Sequence, residues 1–230
     1  MNVLLRPVRT SVGSKYVMAL TGLGLILFVL GHMAGNLLIY RGKESLNAYA
    51  HALETSPVLL WTARTGLLAI FVIHILLGIR LTRQNMAARP VRYVYEDTAV
   101  ASWASRHMLL TGLVILAFVI YHLLHFTFGV TDPKHFKYAL PEDPKGPYRD
   151  VAGMVAWGFS QWPVVLAYVV AQFFLGLHLW HAAGSWLQSL GLSRQGLYRW
   201  IHGVGQVIAV LVVVANCSIP LVILAGWRPS

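Results

Sequence analysis

Residues 106–129 read RHMLLTGLVILAFVIYHLLHFTFG, an apolar run that opens on Arg106 and His107 and carries His122 and His125 inside it. At about 1.5 Å of rise per residue, a helix needs roughly twenty apolar residues to cross a hydrocarbon core of about 30 Å, and this run has the length. Polar groups in hydrocarbon cost several kcal/mol unless they are satisfied, so two imidazoles inside such a run mark a functional position, with a metal as the leading partner. The run therefore constrains both the fold, which must be helical there, and the chemistry, which must occupy the imidazoles.

Composition extends this reading to the whole chain. Of 230 residues, 57% are hydrophobic and 11% charged, against about 25% charged in soluble globular domains. The mean hydropathy is +0.62, and the chain reads as an integral membrane protein. A net charge of +10 raises nucleic acid as a partner, but the basic residues sit at the ends of apolar runs and not in one patch. They read as topology signals beside membrane lipid, with no nucleic-acid partner. The single cysteine, Cys217, lies in an apolar run and is expected to be a small packing residue. One cysteine excludes an intrachain disulfide and any cysteine-based iron–sulfur or zinc site. The first apolar run is longer than a signal-peptide core and lacks a small-residue cleavage pattern, so it is expected to be retained.

Five spans are expected, over residues 15–40, 57–81, 106–129, 162–190 and 197–224, giving an all-α integral membrane bundle that forms one domain over residues 1–230. A polar arm over residues 1–13, with Arg6 and Arg9, is expected along the membrane surface. Residues 41–56 are polar with helical character, and Ser56 before Pro57 signals a helix start. An arginine-rich loop follows the second span. The longest connection, residues 130–160, ends in an apolar piece too short to span and expected at the interface. Ser193 is expected to cap the fifth span, and Pro220 to kink it. Tyr16, Tyr40, Trp61, Trp186, Trp200 and Trp227 near span ends fit interfacial belts. The N-terminal arm, second connection and fourth connection hold about ten Lys and Arg against about seven elsewhere, which predicts a cytoplasmic N-terminus.

With that orientation, depth follows for each histidine inside a span. His32 lies about 26 Å from the inner end of the first span and His122 about 24 Å from the inner end of the third. Both approach the outer face. His74 and His178, in spans of opposite direction, approach the inner face. Histidines at matched depth on facing helices are the geometry for a b-type haem held by two imidazoles, and two pairs imply two haems. A weak repeat accompanies them, because Thr21, Gly22 and His32 share their spacing with Thr111, Gly112 and His122. Small residues beside the candidate ligands, Gly31, Gly35, Gly78, Ala182 and Gly184, suit the approach of a flat macrocycle, although glycine also serves ordinary membrane helix packing.

Each of these histidines has a plainer reading as a hydrogen-bonded packing residue, and it is the matched depths of four that favour haem. His125 and His181 follow His122 and His178 by three residues, so ligand, propionate partner and quinone contact all remain open for them. His51, His107, His135 and His202 sit at span ends or in connections and are expected to be solvated or interfacial. Arg64 lies about two turns inside the second span, where it would meet haem propionates or a quinone head group, or else snorkel to the interface. Lys15, Arg80, Arg106 and Arg199 lie at the cytoplasmic boundary, where topology alone accounts for them. Lys15 and Arg106 are nonetheless candidates for propionate or quinone contact.

The motifs SVGSKYVMALTG leading to LGHMAGNL, LNAYAHALETSPVLLWTAR leading to VIHILLGIRL, ASRHMLLTG with YHLLHFTFG, and LGLHLWHAAGSWLQSLGL make the chain resemble the cytochrome b membrane-anchor subunit of succinate dehydrogenase and fumarate reductase complexes, in its single-chain, five-helix, two-haem form. The resemblance covers nearly the whole chain. It implies one axial ligand from each of the first four helices, with His32 and His122 on the distal haem and His74 and His178 on the proximal one. It favours His178 over His181, because the family ligand precedes a glycine by thirteen residues and Gly191 holds that place. It likewise favours His122, ten residues after Gly112, over His125. Some members carry a glutamate two residues before the fourth-helix ligand, associated with proton movement. Gly176 stands there in this chain, which puts such a proton path in doubt.

The resemblance further implies a subunit in a bacterial cytoplasmic membrane that anchors a flavoprotein and an iron–sulfur protein on the cytoplasmic side. It would carry electrons through two haem b groups between that iron–sulfur subunit and menaquinone, linking the tricarboxylic acid cycle to electron transport. The residues agree with this division of labour: there is no nucleotide fingerprint and no cysteine cluster, so a succinate-oxidising site is expected in another chain. Three alternatives stand beside it. They are a two-haem cytochrome b of a hydrogenase or formate dehydrogenase, a haem-free transporter or channel with a histidine relay, and an anchor without haem. Candidate quinone contacts are Glu54, Arg64 and His125 on the outer side, and Ser14, Lys15, Arg106 and Gln188 on the inner side.

Overall fold

The computed structural model describes residues 10–88, 106–138, 149–191 and 194–230. Among them the regular structure is helical throughout. Helix α1 runs Ser11–Asn36 and continues as a 3-10 turn, Leu37–Arg41. It is followed by α2 (Lys43–Glu54), α3 (Pro57–Ala87) and α4 (Met108–His122), which passes into a π turn at Leu123–Thr127. Then come α5 (Pro133–Tyr138), α6 (Val151–Gly158), α7 (Trp162–Ser189) and α8 (Gln195–Leu224). Five of these segments, Ser11–Arg41, Pro57–Ala87, Met108–Thr127, Trp162–Ser189 and Tyr198–Leu224, are long and apolar enough to cross a membrane. The all-α, five-span expectation holds.

The boundaries differ from the expected ones for physical reasons. Helix α3 reaches Ala87, not residue 81, because the polar stretch after Leu81 contains neither proline nor glycine and continues the helix beyond the apolar run. Helix α1 begins at Ser11, inside the expected arm. The third span ends where the Phe128 amide bonds the Leu123 carbonyl at 2.8 Å, a π turn closed by Gly129 at φ 64°. Pro57 opens α3 as its first residue, and Pro220 lies inside α8. The helical connection and the short apolar helix after the long loop are α2 and α6. Arg6, Arg9, the loop residues 89–105, residues 139–148 and the proposed cap Ser193 lie outside the described residues.

The chain divides into two compact units, each assembled from pieces of the long helices. The first comprises Met1–Phe28, Thr65–Leu113 and Leu175–Val210. Its interior holds Ala19, Leu77, Leu179, Ala183, Leu187 and Ala209 together with three buried hydroxyls, Ser14, Thr21 and Thr111. The second comprises Val29–Arg64, Val114–Phe174 and Leu211–Ser230, around a core of Ile39, Leu46, Ala152, Phe159, Val165, Tyr168, Ile219 and Ile223.

In the second unit a polar clasp ties α2 to the start of α6. Asp150 caps α6 by accepting from the Gly153 amide at 2.9 Å and also takes Asn47 Nδ2 at 3.2 Å and Lys43 Nζ at 2.9 Å. Asn47 is buried, and its Oδ1 accepts the Ala152 amide at 2.9 Å. Partial burial pushes the Asp150 carboxyl up, but hydrogen bonds from Lys43, Gly153 and Asn47 outweigh it and hold the group below the usual carboxylate range. Its stabilising contribution is thus complete above the unfolded carboxylate pKa of about 3.9 and is lost as pH falls through the lower folded value. Acidification below about pH 4 is predicted to loosen the clasp, seen as faster hydrogen exchange at the Gly153 amide. Substituting Asn47→Ala leaves the Ala152 amide without its acceptor, for a predicted cost of about 1–3 kcal/mol in thermal unfolding of the detergent-solubilised protein.

Candidate functional site

In the first unit His74 on α3 and His178 on α7 face each other with ring centroids 6.4 Å apart and planes at 63°. Neither Nδ1 is left to hydrocarbon. Thr21 Oγ1, on α1, lies 3.2 Å from His74 Nδ1 and donates to the carbonyls of Val17 at 2.8 Å or Met18 at 3.1 Å. Thr111 Oγ1, on α4, lies 3.0 Å from His178 Nδ1 and donates to the Met108 carbonyl at 3.0 Å. A hydroxyl has one proton, and in both threonines it is committed to the helix backbone. With the threonine proton on the helix carbonyl, each Oγ1 can accept Nδ1–H, and in that tautomer the Nε2 of both histidines is a lone pair. Gly22, beside Thr21, leaves room for the His74 ring, and Gly112, beside Thr111, lies next to His178 without crowding it. A methyl on Gly22 would stand 3.2 Å from His74 Cε1, and one on Gly112 would stand 3.7 Å from His178 Cε1.

In the second unit His32 on α1 and His122 at the end of α4 face each other at 5.8 Å and 85°. Here the hydroxyl is Tyr168, on α7, whose Oη lies 3.2 Å from His122 Nδ1 and 3.1 Å from His125 Nδ1. Tyr168 is buried in an aromatic nest with Phe118 at 5.0 Å, Phe159 at 4.9 Å, Phe126 at 5.8 Å and Tyr121 at 5.9 Å. The π turn carries His125 into this nest, stacked on Phe126 at 3.9 Å and 22°. Gly158 of α6 closes the other side, where an added methyl would stand 3.0 Å from His125 Cε1 and Nε2.

Both pairs fit a metal-bearing group between them. Two metal–imidazole bonds of about 2 Å, extended by the ring radii, separate the centroids by roughly 6 Å. Among the described residues no cluster of three His, Cys, Asp or Glu could hold a bare metal ion. Two imidazoles suit a metal whose remaining ligands come from a macrocycle.

The other expected residues are placed less tightly. Arg64 is exposed, with its guanidinium 5.3 Å from the centroid of the Trp61 ring. Lys15 and Arg106 are exposed, and His181 is half-buried on α7. His202, read as solvated or interfacial, instead stacks on Tyr198 at 5.6 Å and 12° and packs against Gly184, where an added methyl would meet its Cδ2 at 2.7 Å. Gln188 donates to Tyr198 at 3.3 Å, so α7 and α8 share a polar seam there. His135, read in the same way, bonds Asp132 at 2.9 Å and stacks on Trp157 at 3.8 Å, while Trp157 donates to Asp132 at 2.8 Å. Burial raises the Asp132 pKa, but the hydrogen bonds from His135 and Trp157 prevail and hold it low.

One residue of the site, Tyr168, was hidden from sequence reading. Tyr168 carried no signal beyond standing ten residues before His178, as Arg64 stands ten before His74. The Thr-Gly repeat was visible, but its halves serve different pairs: the histidines form the second-unit pair, whereas the threonines hold the first-unit pair. Eleven residues of helix separate Thr from His by about 16 Å, too far for one site.

Comparison with known protein families, characterised proteins and solved structures finds no match. The packing itself makes a testable statement. Substituting Gly158→Ala presses a methyl onto His125 and Phe126 and is predicted to cost about 1–3 kcal/mol in thermal unfolding. Substituting Gly66→Ala, where nothing lies within 4 Å, is predicted to cost nothing.

Proposed function

We propose that this chain is the membrane-anchor cytochrome b subunit of a succinate:quinone oxidoreductase of a bacterial cytoplasmic membrane. It carries electrons through two haem b groups between an iron–sulfur subunit and menaquinone. The observation that carries the reading is the facing of His74 with His178 and of His32 with His122, one pair in each unit, at 6.4 and 5.8 Å. A b-type haem bound by each pair would supply reversible one-electron transfer at its iron.

The chain's own residues do the rest. His74 and His178 present Nε2 lone pairs because Thr21 and Thr111 hold their Nδ1 protons. His32 and His122 form the second cage, with Tyr168 behind His122. His125, bonded to Tyr168 and enclosed by Phe126 and Gly158, would support this cage, with His122 as the residue that would hold the iron. Arg64, Lys15, Arg106 and His181 supply positive or polar groups toward propionates or the quinone head group, as their places along the spans suggest. The N-terminus is cytoplasmic in this reading, where a flavoprotein and the iron–sulfur protein dock. The succinate site belongs to the flavoprotein.

The test is a reduced-minus-oxidised spectrum of the complex isolated with its partners. Alanine at His74 or His178 is predicted to remove one b-haem signal, and alanine at His32 or His122 the other, each leaving about half of the total. Covalent flavin and three iron–sulfur clusters in the copurifying subunits support the assignment. Nickel or molybdenum there would assign the chain to another respiratory enzyme, and a spectrum without any b-haem band would favour a transporter.

A further inference from the structure

For three of the four facing histidines, the hydroxyl that holds Nδ1 comes from a helix that supplies neither histidine of that pair. His74 on α3 and His178 on α7 are held by Thr21 on α1 and Thr111 on α4. His122 on α4 is held by Tyr168 on α7. Resting on the haem reading above, we propose that Thr21, Thr111 and Tyr168 are positioning residues that set the reduction potentials of the two haems crosswise. The helices that ligate one haem thereby tune the other.

A threonine in a membrane helix satisfies itself by bonding the carbonyl three or four residues back, and both threonines do so. That accounts for the hydroxyl proton; of the two imidazoles, His74 also has a hydrogen bond to the Met18 backbone beside Thr21, and His178 has Thr111. The two Thr-Gly dipeptides lie on different helices, yet each oxygen ends within 3.2 Å of a different Nδ1. The neighbouring glycines admit those same rings. Because the threonine protons are spent, both oxygens accept from Nδ1–H. An imidazole that donates from Nδ1 is a more basic ligand at Nε2 and favours the oxidised metal. Two such acceptors lower the potential of the haem between His74 and His178.

The second cage is built differently. Tyr168 has one proton for two imidazoles. With His122 ligating through Nε2, its Nδ1–H donates to the phenol oxygen and the phenol O–H donates to His125 Nδ1. This fixes the neutral Nε2–H tautomer of His125. A phenol that is donating is also a better acceptor, so His125 acts on His122 at one remove. The two haems thus differ in what stands behind their ligands: two self-satisfied threonines for one, a shared phenol for the other.

Redox titration of the haem-loaded complex, followed optically, tests the proposal, with each haem identified by the histidine variant that removes it. Thr21→Val and Thr111→Val are expected to raise the midpoint of the His74/His178 haem, each by roughly a tenfold loss of preference for the oxidised state, about 59 mV for one electron. The other haem is expected to stay put. Tyr168→Phe is expected to raise the midpoint of the His32/His122 haem alone. His125→Ala keeps Tyr168 in place and is expected to shift that same haem in the same direction by less. Thr21→Ser and Thr111→Ser retain the acceptor and are expected to keep the parent midpoint, which a volume effect would not do. Haems bound with unchanged midpoints in the valine and phenylalanine variants would overturn the crossed tuning, as would a Thr21→Val shift confined to the His32/His122 haem. A parent complex with no b-haem at all would overturn the underlying haem reading instead.

Discussion

An imidazole inside hydrocarbon must have both nitrogens occupied, and the structure around the four facing histidines follows from that requirement. A neutral ring carries one donor and one acceptor, and leaving either bare costs on the order of several kcal/mol. Thr21, Thr111 and Tyr168 take one nitrogen of three of these rings. The remaining nitrogen of each is then the group that must find a partner. The close spacing of the rings in each pair, 6.4 and 5.8 Å between centroids, supplies the place for it. Gly22 serves the same need, since a methyl there would stand 3.2 Å from His74 Cε1 and press on the ring that meets Thr21.

The two units meet this requirement with different cores. In the first, the buried apolar side chains include Ala19, Leu77, Leu179 and Ala183, and the hydroxyls that meet the pair bond their own helices. In the second, an aromatic nest centred on Tyr168 packs against His122, and the π turn carries His125 into it. The same unit holds its short connections by polar clasps, Asn47 with Asp150 and Arg149 with Glu54. Ion pairs and helix caps thus lie in the connections, whereas the spans carry apolar burial and the hydrogen bonds to the histidines.

Much of this was legible in the amino-acid sequence, because hydropathy and helical rise are local properties. The five apolar runs, the helical connection over Lys43–Glu54 and the pairing of His32 with His122 and His74 with His178 all follow from counting along single segments. Helix ends were less legible, since Ala87 lies well past the last apolar residue of its run and hydropathy marks the bilayer rather than the helix. Least legible were contacts across helices. Tyr168 reads as an ordinary apolar-face aromatic until α4 is brought to it, and His202 reads as an interfacial histidine until Gly184 admits it against α7. The threonines show why spacing alone misleads. They repeat in register with the histidines of their own helices, yet bond the histidines of two others.

The central claim is that each unit holds one haem b between two histidines. Haem content of the purified, membrane-extracted chain, measured as haem b extracted per polypeptide, tests it most directly. The account predicts two haem b per chain, both low-spin with two nitrogen ligands, as two imidazoles require. A content of zero or one in well-folded protein, or a high-spin iron at either position, would contradict it.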